Sequence, residues 1–487
     1  MRKHYDNQGR LDVTPIGELK LNFDCRDEMI PVLAGLQDIY SSIPLRNKVV
    51  RLVAADVNRD SRRDIGRPGL DDWQIVVLAA VRLGCNMNLD KLQDQAENHG
   101  SLRTMLGLGG WEEGPSFDWR RIRDTLCRLQ PSTLEAINQA IVSRGQELDP
   151  DAATRVRADS FVVETDIHYP TESSLIGDGM RKIIPSSAKL AEELGITIWR
   201  QHKDSLKKIE REIRLIAQIS SSKSPKAKAG LQSAYQALLK RAAKYLNRAK
   251  DLQKQAETAP FSLEIAMLTG ELDHWIALTN RVCDTAFRRV ILGETVPNSE
   301  KLFSLFEPHT QLYRRGKAKE ENQFGRLVLV FEDAAGFISH YHLMDRDATD
   351  ADVLLEQTRA VQQKHDGRIE SASFDRGFYS AENEKELKKI IENPCLPPRH
   401  PAQFAERMAE ASVEFHQQRQ RHPGIESAIG ALQAGNGLKR CRDHSEIGFE
   451  RYLGLAILGR NIHTLGKLLI AKRQAQSAAA VSKRKAA

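Results

Sequence analysis

A mixed α/β core, interrupted by an inserted helical bundle and preceded by an all-helical region, is the fold class this sequence predicts. Three observations predict it. Apolar residues recur at helical spacing through residues 17–147. Short β-rich runs begin at Val156 and return near 301, 327, 336 and 369, with a helical stretch among them. A long helical segment, about 186–293, separates the first run from the rest. The predicted organisation is a helical N-terminal domain (1–150), a core in two pieces (151–185 and 294–474), a basic helical insertion (186–293) and a basic disordered tail (475–487).

The chain has 487 residues, 41% hydrophobic and 28% charged, which is ordinary globular composition with ample length for a large core. No apolar run approaches the ~18 to 20 residues of a membrane span, so no membrane partner is expected. The first residues lack the apolar region of a secretory signal. The six cysteines, at 25, 85, 127, 283, 395 and 441, form no C-x-x-C pair. A reducing cytoplasm is the simplest setting, and a disulfide framework or zinc knuckle is not expected.

Taken in order, Asp71-Asp72 opens a buried helix through Ile75–Leu83, with Gly84 as its stop. Leu89–Ala96 and Thr104–Gly107 read as a helical pair the size of a helix-turn-helix. Pro131-Ser132-Thr133-Leu134-Glu135 offers a Ser/Thr cap to the last helix of the region. Val156–Val163 alternates like a strand. Helices at 203–220 and 229–257 are split by Ser220–Pro225, a helix-hairpin loop. Lys301–Phe306, Leu327–Glu332 and Gly336–Leu343 read as strands, the last two joined by a hairpin at Asp333-Ala334-Ala335. Val353–Gln363 reads as helix, Ile369–Phe374 as strand and the remainder as mostly helix.

The net charge of +7 is uneven. Residues 1–150 carry 20 basic and 22 acidic side chains, residues 201–257 carry 14 and 5, and residues 438–487 carry 11 and 3. One such basic block is as readily a solvated helix face as a binding surface. Two in one chain favour a polyanion such as double-stranded DNA, because each Lys or Arg set on a phosphate releases condensed counterions. Lys240, Arg241, Lys244 and Arg248 in the first block, Lys439, Arg440 and Arg442 in the second, and Arg376 and Arg421 near the acids below are the candidate DNA contacts. The near-neutral N-terminal region suits end recognition, through the second helix of its helical pair, or assembly.

Three acids stand out by the elements that carry them. Asp159 lies inside the first strand, Asp375 directly follows the strand 369–374, and Glu426 opens a helix whose Ile425, Ile429 and Leu432 face a core. An acid in an apolar strand is costly unless compensated, and a divalent cation held by several carboxylates compensates it. Oxygen-only ligands select Mg²⁺ or Mn²⁺. Asp375 as a turn acid and Glu426 as a helix-start carboxylate are the plainer alternatives. His340 and His342 alternate on a strand without a nearby acid or Cys and read as surface or packing residues.

Ala158-Asp159-Ser160-Phe161-Val162-Val163-Glu164 with Asp166-Ile167-His168-Tyr169-Pro170 resembles the first signature of bacterial insertion-sequence transposases of the DDE class, most nearly the ISNCY-like group. Phe303–Thr310 through Arg315-Gly316-Lys317, Phe374-Asp375-Arg376-Gly377-Phe378-Tyr379-Ser380, Glu426–Gly430, Gly437–Arg442 and Tyr452–Asn461 are similar to later stretches of that family. The resemblance covers most of 20–470. It implies an RNase H-like catalytic core, and two Mg²⁺ ions (or Mn²⁺) held by Asp159, Asp375 and Glu426. It further implies cleavage of transposon ends and joining of the 3′-OH to target DNA, by a homo-oligomer on bacterial nucleoid DNA. Asp166 is the alternative first acid, although Asp159 matches the signature position. The Tyr-x₂-Arg-x₃-Glu-x₆-Lys pattern of a related group is not kept. Its positions hold Arg419, His422 and Gln433, with Arg421 close enough to substitute.

Asp159 to Asp375 spans 216 residues and Asp375 to Glu426 only 51, so the insertion lies between the first two acids. The activity the resemblance implies is DNA transposition. A metal-dependent nuclease without strand transfer, or a non-catalytic DNA-binding relic, is the alternative. No P-loop, H-E-x-x-H or G-x-S-x-G occurs in a supporting context.

Overall fold

Seven helices built on the apolar periodicity come first: α1 Met29–Ser41, α2 Ile43–Val57, α3 Asp72–Gly84, α4 Leu89–Asn98, α5 Gly100–Met105, α6 Trp119–Leu126 and α7 Pro131–Leu148. The computed structural model describes residues 13–59, 69–109, 117–222, 225–314 and 322–486. Asp71 caps α3 in a capping box with Gln74, and α3 is buried throughout. The expected Ser/Thr cap of α7 is not made. Pro131 takes the first helical position, where its missing N–H costs nothing, and Gln130 is the cap residue.

The chain divides into two units, one of residues up to 166 with those from 326 onward, the other 167–325. In the first unit the sheet order is β4 (Ile338–Leu343), β3 (Gln323–Asp333), β1 (Arg155–Glu164), β5 (Ser371–Ser373), β6 (Asn393–Cys395). β3 and β4 are antiparallel, whereas β5 runs parallel to both β1 and β6. Helices α12 (Asp350–Lys364), α13 (Ala381–Leu387), α14 (Pro401–Glu410), α15 (Val413–Arg421), α16 (Gly424–Ala434) and α17 (Glu446–Ala486) complete the unit.

α17 is the spine of this core and packs on α1, α3 and α7. Glycines allow the approach, since a Cβ on Gly459 would overlap the Gly84 backbone and one on Gly466 would overlap Pro31. Asn461, wholly buried, accepts from the Ile338 N–H (2.9 Å) and donates to the Ile338 carbonyl (3.0 Å), tying α17 to β4. The N-terminal helices therefore share one hydrophobic core with β1, β3, β4, α16 and α17. The sequence boundary at 150 does not separate a domain, because those helices are the apolar partners of α17.

The second unit holds α8 (Glu172–Glu193), α9 (His202–Ser220), α10 (Pro225–Glu257) and α11 (Leu263–Ala286) around its own apolar cluster. β2 (Gln311–Tyr313) pairs with residues 323–325. This unit begins and ends beyond the predicted 186–293. Lys301–Phe306 forms no strand; Leu302, Phe303 and Leu305 are buried there without one. Arg315-Gly316-Lys317 lies outside the described residues. The predicted disordered tail is a correction as well, because α17 continues as helix through 475–486, where alanines favour that state.

His340 takes a packing role. It is buried, 2.9 Å from Gln357 Oε1 and 2.8 Å from Lys364 Nζ, and burial lowers its pKa from 6.5 to about 4. Because the folded pKa is depressed, the unfolded state binds more protons between pH 6.5 and 4. The stability carried by neutral His340 is full above pH 6.5 and falls toward pH 4 by about 1.4 kcal/mol per unit. Chemical denaturation at pH 7 and pH 5 should show His340→Gln losing less stability on acidification than the parent, and equal losses would contradict this.

Candidate active site

β1 alternates outward Arg155, Arg157 and Asp159 with buried Val156, Ala158 and Ser160. On its parallel neighbour Ser371 pairs with Arg155 and Ser373 with Arg157. The chain stays extended at Asp375 (φ −84°, ψ 168°). Two residues beyond the Arg157–Ser373 pair, β1 carries Asp159 and the chain leaving β5 carries Asp375. Asp375 is half exposed, its Oδ1 4.0 Å from Arg419 Nη2. The Asp159 carboxylate accepts from the Ser160 N–H at 2.7 Å.

Glu426 sits in the first turn of α16, which packs on β1 through buried Ile425, Ala428 and Leu432. The helix start is pinned by Arg157, whose Nη1 donates to the Arg421 carbonyl at 3.0 Å and lies where a Gly424 Cβ would go. Glu426 is exposed and has no polar partner among the described residues. His422, just before α16, bonds Ser373 Oγ at 3.1 Å; burial first, then the Arg419 charge, lowers its pKa to about 4. Arg419 and His422 thus brace the end of β5.

Asp166 is placed differently. It is exposed and 3.7 Å from Arg440 Nη1, beyond the end of β1. Among the described residues no three Asp, Glu, His or Cys side chains form a ready-made ligand cluster. Asp159 lies on β1 and Asp375 just after the end of its parallel neighbour β5, and the Glu426 helix packs on β1, without the three carboxylates forming a ligand group.

The chain matches no family model, no curated protein and no solved structure. The site therefore rests on its own residues.

The candidate DNA contacts divide by what they touch. Lys240 and Lys244 are exposed on α10. Arg241 pairs with Glu212 at 2.6 Å, and Arg248 stacks 4.7 Å over Trp199. Arg376 lies 4.2 Å over the Phe404 ring. Arg440 pairs with Glu164 at 3.2 Å, and Arg442 donates to Tyr452 Oη and Asn86. Lys439 and Arg421 are exposed. In the second basic block, Arg451 is also internal, bonded to the Leu129 carbonyl. Helix α5 is six residues long with Leu102, Arg103 and Met105 buried, so the helical pair offers no row of side chains for base contacts.

Sequence reading missed Arg155, Arg157, Glu332 and Asp333, which line a pocket at the start of the same sheet face. The alternation Arg155, Arg157, Asp159 was the available signal. No described helix is long and apolar enough to cross a membrane.

Proposed function

We propose that this chain is a DDE-class DNA transposase with an RNase H-like core, cleaving transposon ends and joining the 3′-OH to target DNA. The observation that carries the reading is the parallel pairing of β1 with β5 through Arg157 and Ser373, two residues before Asp159 on one strand and Asp375 after the other. The sheet order, with the antiparallel pair β3 and β4 on one side of β1 and the parallel β5 and β6 on the other, and the Glu426 helix against β1 support it. These donors are carboxylate oxygens at partly or fully exposed positions, and Glu426 has no competing partner among the described residues. They fit a hard divalent cation, Mg²⁺ or Mn²⁺.

Asp159, Asp375 and Glu426 would hold the metal, with Asp166 left to Arg440. Two such ions, when bound, activate the attacking oxygen and stabilise the leaving oxygen of an in-line phosphoryl displacement. The chain's own contribution is placement. Arg419 orients Asp375, His422 fixes Ser373 two residues before it, and Arg157 anchors the helix that carries Glu426.

A labelled DNA end with a free 3′-OH, incubated with target plasmid and Mg²⁺, tests the reading. Joined product is expected. Cleavage without joining would indicate a nuclease, and binding alone a relic.

Phosphate contact by α10 gives a second expectation. Only Lys240 and Lys244 of its four candidate residues are free of a protein partner in the contacts described above. Replacing all four by Gln should therefore lower the slope of log K against log salt by about two, not four. Binding measured across a salt series checks this, and an unchanged slope would return α10 to a solvated face.

A further inference from the structure

At the paired starts of β1 and β5 lies a pocket of about 300 Å³ lined by Arg155, Arg157, Glu332, Asp333, Ser371, Ser373, Gln418 and Arg421. Its charges are unequal in availability. Arg157 is engaged by Glu332 at 2.6 Å. Asp333 is almost fully buried, its Oδ1 accepting the Ala335 and Phe337 N–H groups, both at 3.0 Å, and burial pushes its pKa up to about 7. Arg155 is exposed, the Arg421 side chain is exposed, and neither guanidinium has an ion-pair partner among the described residues. Two guanidiniums without ion-pair partners on one pocket wall are anion chemistry, and the planar fork of Arg matches a phosphate.

The position narrows the anion. Arg155, Arg157 and Asp159 share one face of β1, and a strand rises ~3.3 Å per residue. Along β1, Asp159 is therefore ~7 Å from Arg157 and ~13 Å from Arg155. That is one to two nucleotide steps. The volume exceeds what a lone phosphate needs.

We propose that this pocket seats the nucleotide flanking the reacting phosphate, with Arg155 and Arg421 on its phosphate. The assignment rests on the transposase reading for its biological strand, but its test does not. Deoxythymidine 3′,5′-bisphosphate is titrated calorimetrically into the full-length protein, its Arg155→Gln and Arg421→Gln variants, and Arg359→Gln as an exposed charge control on α12. The bisphosphate should bind the parent and the control equally, weaken at least tenfold in each pocket variant, and bind tighter than inorganic phosphate. Circular dichroism confirms that the variants fold. Equal affinity in the pocket variants, no binding to the parent, or inorganic phosphate binding as tightly would overturn the proposal. Arg155-dependent binding in a protein that joins no DNA would keep the pocket and remove the transposase reading. Joining without Arg155 dependence would do the reverse.

Discussion

Asp375→Asn is expected to abolish cleavage and joining while leaving DNA binding intact, a loss of roughly 10³-fold or more in rate, given that metal stabilisation of a phosphoryl transition state is worth several kcal/mol. The change keeps the shape of the side chain and removes its charge. Asp375 is half exposed just past the end of β5, and among the described residues its carboxylate is held by a 4.0 Å ion pair to Arg419, so little fold stability depends on it. Any lost activity then reports chemistry. The same substitution at Asp159 should behave alike, whereas Asp166→Ala should retain activity, because Asp166 lies beyond the end of β1. Gel-shift and strand-transfer assays on the same preparations separate the outcomes. An active Asp159 variant beside an inactive Asp166 variant would move the first acid to Asp166.

The second large effect concerns stability. Arg82 on α3 is buried and donates to both oxygens of Asp443, at 3.0 and 2.5 Å. Burial works against the Arg82 charge, and Asp443 more than restores it, so that its pKa is raised. Asp443→Ala leaves that guanidinium buried without its counter-ion, and breaking such a pair costs about 3–5 kcal/mol. Urea unfolding should show the midpoint falling accordingly. A loss below about 1 kcal/mol would mean that water or another acid replaces Asp443. Because Arg442 is adjacent, this variant also distinguishes a structural role for the 438–443 segment from a DNA-binding one.

The long elements were legible because their signals are local. The α3 run and its Asp71-Asp72 start, the α9–α10 pair and the β3–β4 hairpin all stand where periodicity and turn chemistry place them. What failed depends on distant partners. β6 is Asn393-Pro394-Cys395, three residues with a central proline, and only parallel pairing with β5 makes it a strand. Lys301–Phe306 has the apolar content of a strand but buries it in a helical cluster, an ambiguity that a short run cannot resolve. The N-terminal helices looked self-sufficient. Gly84 against Gly459 and Asn138 donating to the Gly454 carbonyl join them to a helix more than 300 residues away. Deleting residues 1–147 would therefore expose the core of the first unit, so such a deletion cannot isolate an end-recognition function.

The site divides the same way. Asp159 and Asp375 are candidates from strand context alone, whereas the parallel pairing of β1 with β5, the strands that lead to them, is not legible in the sequence. Counting charge overestimated the second basic block, since Arg442 and Arg451 are engaged internally. Arg155 and Arg157 were passed over because only pairing with Ser371 and Ser373 gives them a pocket.

The claim that Asp159, Asp375 and Glu426 share one metal site is tested most directly by a crystal structure of the protein with an end DNA and Mn²⁺, using the anomalous signal. The account predicts two manganese peaks ~3.5 to 4 Å apart, bridged by carboxylates of those three residues. Peaks elsewhere, or carboxylates more than ~10 Å apart and so unable to reach an ion pair of that spacing, would contradict it.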